Sequence, residues 1–212
     1  MAATKQDSKA ITLKGSAELV TEFFGYGINN ILYQRGIYPA GSFRREQFYD
    51  LTLFVCDNKE LQEYLSKVLQ QLKEWLEGNA LQRVVMVITQ VDTEEVIERW
   101  QFDIHCENSE QTTEGDDKKP AKKPPPAKTK KDIQREMRDV IRQITASVTF
   151  LPLLDGQCAF DLLAYTNRDQ DVPETWEESQ ARIIANSEEV RLRSFSTTVH
   201  KVDTMVSYKA ED

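Results

Sequence analysis

His105 and Cys106 stand side by side, and His200 is the only other histidine. Imidazole and thiolate are the side chains best suited to hold zinc or to run nucleophilic chemistry near neutral pH. Neighbouring residues of an extended segment point to opposite faces, so His105 and Cys106 cannot easily share a metal. They read as a surface histidine beside a core cysteine. Cys56, Cys106 and Cys158 are odd in number and lack C-x-x-C spacing, which fits free thiols in a reducing compartment. The glycines form no phosphate loop, and no G-x-S-x-G elbow or H-E-x-x-H pair occurs. Glu94–Glu95, Glu177–Glu178 and Glu188–Glu189 lie in hydrophilic stretches, as solvated faces do. A glycosidase needs two carboxylates set apart in a cleft, and nothing distinguishes such a pair. The residues therefore point to binding and not to catalysis, with no catalytic residue, cofactor or metal expected.

Composition narrows the class further. The chain has 212 residues, 40% hydrophobic and 29% charged, with a net charge of −8. One compact domain of this size buries roughly 70% of its unfolded surface and needs no staple. The acidic balance argues against a general nucleic-acid binder, since phosphate affinity comes from concentrated Lys and Arg. No apolar run approaches the ~20 residues that span a bilayer, so no membrane partner is expected. The opening MAATKQDSKA lacks the apolar core of a secretory signal, which implies the cytosol or nucleus.

The elements that must carry a binding surface are legible in the periodicity. A first helix is expected from about Ser16, as N-cap, to Arg35, with Val20, Phe23, Phe24, Ile28, Ile31 and Leu32 on one stripe. Gly25 and Gly27 inside it lower helix propensity and imply close approach of another element. A second helix opens with an Asp57–Glu60 capping box and carries Leu61, Leu65, Val68, Leu72, Trp75 and Leu76. A third starts near Asp132, with Arg135, Arg138 and Arg142 along one side. Leu81–Thr89 is a β-branched strand, and Val96, Trp100, Phe102 and Ile104 alternate with polar residues in a second. Asp155–Gly156 signals a turn before a strand over Cys158–Thr166. The expected class is α+β, with a mainly antiparallel sheet.

Two regions depart from this. Asn108–Lys131 holds four of the seven prolines and, from Lys118 on, seven lysines, with no aromatic or large aliphatic residue. It is expected to be a disordered loop, a spacer or a nuclear-import signal. From Asn167 to Arg193 no period is sustained. Alternation over Phe195–Val206 then signals a hairpin at the end of a long arm.

Several strings go beyond amphipathic patterning. Ile11–Pro39 (ITLKGSAELVTEFFGYGINNILYQRGIYP), Glu98–Ile104, Ile141–Leu154 (IRQITASVTFLPLL), Val172–Ser179 (VPETWEES) and Asn186–Val202 (NSEEVRLRSFSTTVHKV) resemble the HORMA-domain family. With their spacers they cover nearly the whole chain. The Pro/Lys-rich segment before the third helix is the main departure.

The resemblance implies a single HORMA domain over 11–212 after a flexible 1–10. Three helices pack on the sheet, and residues 167–212 form a mobile C-terminal safety belt that traps a partner peptide added to a sheet edge. It also implies switching between open and closed states and pairing of open with closed copies. The role implied is in the spindle assembly checkpoint, in nucleus, cytoplasm and at kinetochores. The partners implied are the anaphase-promoting-complex activator, a coiled-coil kinetochore receptor, a comet-type adaptor and an AAA+ remodelling ATPase. By motif, Arg142, Gln143 and Phe150 would form the self-pairing face. Phe160, Leu162, Tyr165, Trp176, Phe195 and Val199 would form the peptide edge and belt, and Leu13 would lie in a short strand displaced on switching. The alternatives are another HORMA adaptor, of translesion polymerase or meiotic axis, a small α+β enzyme, or a passive structural subunit.

Overall fold

The computed structural model describes residues 11–107 and 128–210. The expected flexibility of residues 1–10 and most of the expected loop lie outside them. In chain order the elements are α1 (Leu13–Gln34), the strands β1 (Phe43–Phe48) and β2 (Leu51–Cys56), α2 (Lys59–Glu77), β3 (Leu81–Gln90), β4 (Val96–Cys106), α3 (Lys130–Ser147), β5 (Cys158–Thr166), β6 (Ser187–Arg191), β7 (Phe195–Ser196) and β8 (His200–Lys209). The α+β class holds, with three helices and an antiparallel sheet in the order β5-β3-β4-β8-β6.

Register fixes which residues meet the helices. Leu162 pairs with Met86, Met86 with Trp100 and Trp100 with Val206. All four belong to the core, so even-numbered residues of these strands face the helices and odd-numbered ones face away. Phe23 and Phe24 of α1 press on Phe102 of β4 with ring centroids 5.9 and 5.6 Å apart. A Cβ on Gly25 would stand 3.4 Å from Leu69 of α2, and one on Gly27 3.7 Å from Ile141 of α3. The two glycines thus lie where the flanking helices come nearest to α1.

Three local expectations are corrected. Ser16 does not cap α1; Thr12 does, accepting from the Gly15 N–H, and Ser16 is buried in the second turn. Leu13 is the first helical residue in this arrangement. The cap of α2 is Asn58, accepting from Leu61 N–H, while Asp57 instead meets Arg44 at 2.8 Å. The stretch expected as loop to Lys131 ends earlier. Thr129 and Asp132 form a reciprocal capping box, so α3 begins at Lys130.

The hairpin β1–β2 was not anticipated. It turns through Tyr49 and Asp50, both in left-handed conformations, at φ 44° and 66°. A two-residue turn with positive φ at both positions matches the sheet's twist, but Gly or Asn normally supplies it. Its other end is tied by the Asn29 side chain, whose Oδ1 accepts from Cys56 N–H at 2.8 Å.

Candidate peptide-binding site

β5 pairs with β3 on one side only. Its other edge has no strand partner among the described residues, and such an edge can template a further strand. Alongside runs the chain that leaves β5, and between them lies a groove of about 620 Å³. Trp75, Leu162, Tyr165, Pro173 and Trp176 line it, with Glu174, Glu177 and Glu178 along its outer wall. The sheet edge and the groove's apolar lining suit an extended segment better than a compact small molecule.

Each end of the outer wall is fixed to the body. At one, the Trp176 N–H donates to the Pro173 carbonyl at 2.9 Å, making a turn that presents the indole. That indole meets Trp75 of α2 edge-on, with centroids 4.9 Å apart at 64°. At the other end Arg182 donates to the Thr89 hydroxyl of β3 at 2.8 Å and stands 3.3 Å from the Asp161 carboxylate of β5. Its backbone is left-handed, φ 49°.

Beyond Arg182 the chain crosses the sheet face away from the helices. Ile184 is 6% exposed, and Val85 and Val87, odd-numbered residues of that face, are 0% exposed. None of the three belongs to the helix-side core. Burying one isoleucine there contributes roughly 1.5–3 kcal/mol. The crossing ends where the Asn186 carbonyl accepts from Ala210 N–H at 3.0 Å. β6 then adds to β8 at the opposite edge of the sheet. Residues 167–186 thus run from one edge to the other around the back.

The expected site residues fall into three places. Leu162, Tyr165 and Trp176 come together in the groove, and Tyr165 also carries the Arg83 guanidinium over its ring at 5.6 Å. Phe160 is not in its lining; it packs on the helix side between Tyr38 and Tyr64, at 6.3 and 6.0 Å. Phe195 and Val199 lie in the C-terminal hairpin, remote from the groove. Phe195 is buried with its ring 4.6 Å from Phe23, and the Val199 carbonyl accepts from Glu107 N–H at 2.8 Å.

The hairpin tip carries a polar latch. Ser16 Oγ lies 2.7 Å from His200 Nδ1 and shares a short hydrogen bond with Thr197 Oγ1, all three residues being buried. Burial lowers the His200 pKa below its usual 6.5, opposed by the Leu76 backbone. On the outer face of α3, Arg142 is exposed and loosely paired with Asp139 at 3.9 Å. Phe150 is 45% exposed. Gln143 is engaged within the molecule, its Oε1 accepting from Arg193 N–H at 2.6 Å. Among the described residues no group of three or more His, Cys, Asp or Glu is placed to hold a metal.

Trp75, Arg182, Ile184 and Ser16 escaped sequence reasoning as site residues. Trp75 looks like one more member of a helical stripe. The signal for the crossing was the Ile183–Ile184 pair in an arm of mixed polarity.

Comparison with known proteins agrees with this fold. The HORMA domain family model matches residues 16–200. The chain belongs to the HORMA-domain family. Within it, the human mitotic spindle assembly checkpoint protein MAD2A is 56% identical over 209 residues, covering 99% of this chain and 98% of that protein. A chain of the crystal structure of the mitotic checkpoint complex superposes with TM-score 0.79 at 40% identity, covering 92% of this chain and 99% of that one. The C. elegans HTP-2 bound to a HIM-3 closure motif superposes with TM-score 0.73 at 13% identity, over 99% of both chains, which is a likeness of fold.

Proposed function

We propose that this chain is a spindle assembly checkpoint protein acting as a peptide-gripping adaptor. An extended segment of its partner adds to the free edge of β5, and residues 167–186 pass outside it as a belt. The observation that carries this reading is the juxtaposition of an unpaired strand edge with a groove walled by the chain's own arm. Main-chain hydrogen bonds to β5 would supply affinity, and side chains entering beside Trp75, Leu162 and Trp176 selectivity. The arrangement described is then the closed one. In an open one the C-terminal hairpin leaves β4 and takes the β5 edge, blocking the groove, a switch between two packings of one sequence. The peptide belongs to the anaphase-promoting-complex activator, or to a coiled-coil kinetochore receptor. Holding the activator delays anaphase. The comet-type adaptor, the AAA+ ATPase and the nuclear, cytoplasmic and kinetochore locations belong to the same reading.

Fluorescence anisotropy with a labelled synthetic peptide from that activator tests it. The full chain is expected to bind, with new hydrogen-exchange protection over Cys158–Thr166. A chain ending at Val202, which lacks most of β8, is expected not to. Equal binding by the shortened chain would overturn the belt.

A further inference from the structure

We infer that Arg182 is a charge clamp that holds the belt shut at the end of the groove opposite Trp176, and so sets how fast a captured peptide leaves. This inference rests on the peptide-capturing reading of the same groove. The lining fixes the clamp's position. The strand side of the groove begins at Leu162, next to Asp161, and its belt side ends at Gln180, two residues before Arg182. The Arg182–Asp161 pair at 3.3 Å therefore joins the two walls where the groove stops. The guanidinium does not stop at the edge strand. It reaches Thr89 of β3 at 2.8 Å, a residue only 8% exposed, so the belt is tied to two strands at once.

The clamp is selective in its chemistry. One planar fork serves a hydroxyl and a carboxylate together, which a lysine cannot do in the same geometry. It also bears a conformational load, because an arginine at φ 49° gains nothing from the backbone there. The side-chain contacts hold the turn that lets Ile184 reach the back of the sheet. With one side chain of the pair 32% and the other 53% exposed, the attraction is partly screened, and salt weakens it. Arg182 touches no peptide in this scheme. It is a positioning residue, acting on release rather than on encounter.

The test measures association and dissociation of the labelled activator peptide for the full chain, Arg182→Gln, Asp161→Asn, Arg182→Asp and the exchanged pair Arg182→Asp with Asp161→Arg. Arg182→Gln is expected to release peptide about threefold to tenfold faster, as loss of one partly exposed charge-assisted contact implies. Its association rate should be nearly unchanged. Release from the unaltered chain should quicken with added salt, and Arg182→Gln should lose that dependence. The exchanged pair should release more slowly than Arg182→Asp alone. Release from Arg182→Gln at the original rate with the original salt slope would overturn the clamp, as would an exchanged pair no slower than Arg182→Asp. If the unaltered chain does not bind the peptide, the capture reading fails, and the clamp is read separately by hydrogen exchange without peptide. Faster exchange over Val172–Ala185 in Arg182→Gln, with β8 unchanged, supports it. Unchanged exchange there refutes it.

Discussion

The Arg35 guanidinium stands 2.9 Å from the Glu98 carboxylate, with the two side chains 4% and 1% exposed. Arg35 ends α1 and Glu98 lies on β4, and the same guanidinium donates to the Pro152 carbonyl beyond α3 at 2.6 Å. The Trp100 indole N–H donates to Glu98 at 2.6 Å. Burial raises the Glu98 pKa, and Arg35 opposes it. Removing one member leaves the other charge buried alone, so Arg35→Met should destabilise the fold by about 3–5 kcal/mol. Arg35→Met combined with Glu98→Leu should recover much of that loss. Urea unfolding checks both, and a loss below about 1 kcal/mol in the single variant would deny the pair its role.

Trp176→Ala removes the edge-on contact with Trp75. Because that contact fixes the arm and not the core, the expected cost in global stability is small, about 1 kcal/mol. Hydrogen exchange over Val172–Gln180 should rise sharply, and Trp75 fluorescence should shift to the red as its ring meets water. An unchanged exchange profile would show that the arm is held without it.

His200 is docked neutral and buried against Ser16, with its pKa lowered from 6.5 by burial. A released histidine titrates near 6.5 and so takes up protons that the docked one refuses. The His200 contribution is thus fully present above about pH 6.5 and diminishes as the pH falls below that value, levelling off only below the folded pKa. His200→Gln should flatten this part of a stability-against-pH curve. Ser16→Ala should cost about 1–2 kcal/mol at pH 7.5, since it leaves buried partners unsatisfied. A histidine-independent slope between pH 5 and 7 would count against the latch.

Arg142 lies exposed on α3, with Phe150 45% exposed further along. As the proposed self-pairing face, it should be sensitive to charge reversal without loss of fold. Arg142→Glu is expected to elute as a monomer in gel filtration and to bind the activator peptide as before. A persistent dimer would move the pairing surface elsewhere.

Legibility followed the kind of contact each residue makes. The stripe of α2 was plain because its buried residues recur every three or four positions against one continuous core. The strands β3 and β4 were plain because the sheet alternates its faces. Ser16 has the sequence signature of a cap, since serine before an apolar stripe usually is one. Here Thr12, four residues earlier, takes that place, and the serine hydroxyl meets residues 181 and 184 positions away in sequence. No local rule can see such a partner. β1 and β2 were hidden by a turn built from Tyr49 and Asp50 where glycine or asparagine is the usual sign. The strand β6 was hidden because SEEVR has charge on both faces, pairs only with β8 and ends the sheet. The arm's course was unreadable because it is set by isolated residues: Trp176 and Arg182, held by residues far away in the chain, and the buried Ile184.

The arm's route from one sheet edge round to the other has a topological meaning. Its two ends are β5 and β6, both sewn into the same sheet, so strand, sheet and arm together make a ring. A short peptide could slide lengthwise out of such a ring once its belt loosens. A segment from the middle of a large folded protein could not, because both of its flanks are too bulky to pass. For such a cargo, entry and exit each require the ring to be unfastened by lifting part of the sheet. The lifetime of the complex would then be governed by the unfastening of the captor, however weak or strong the grip on the cargo itself.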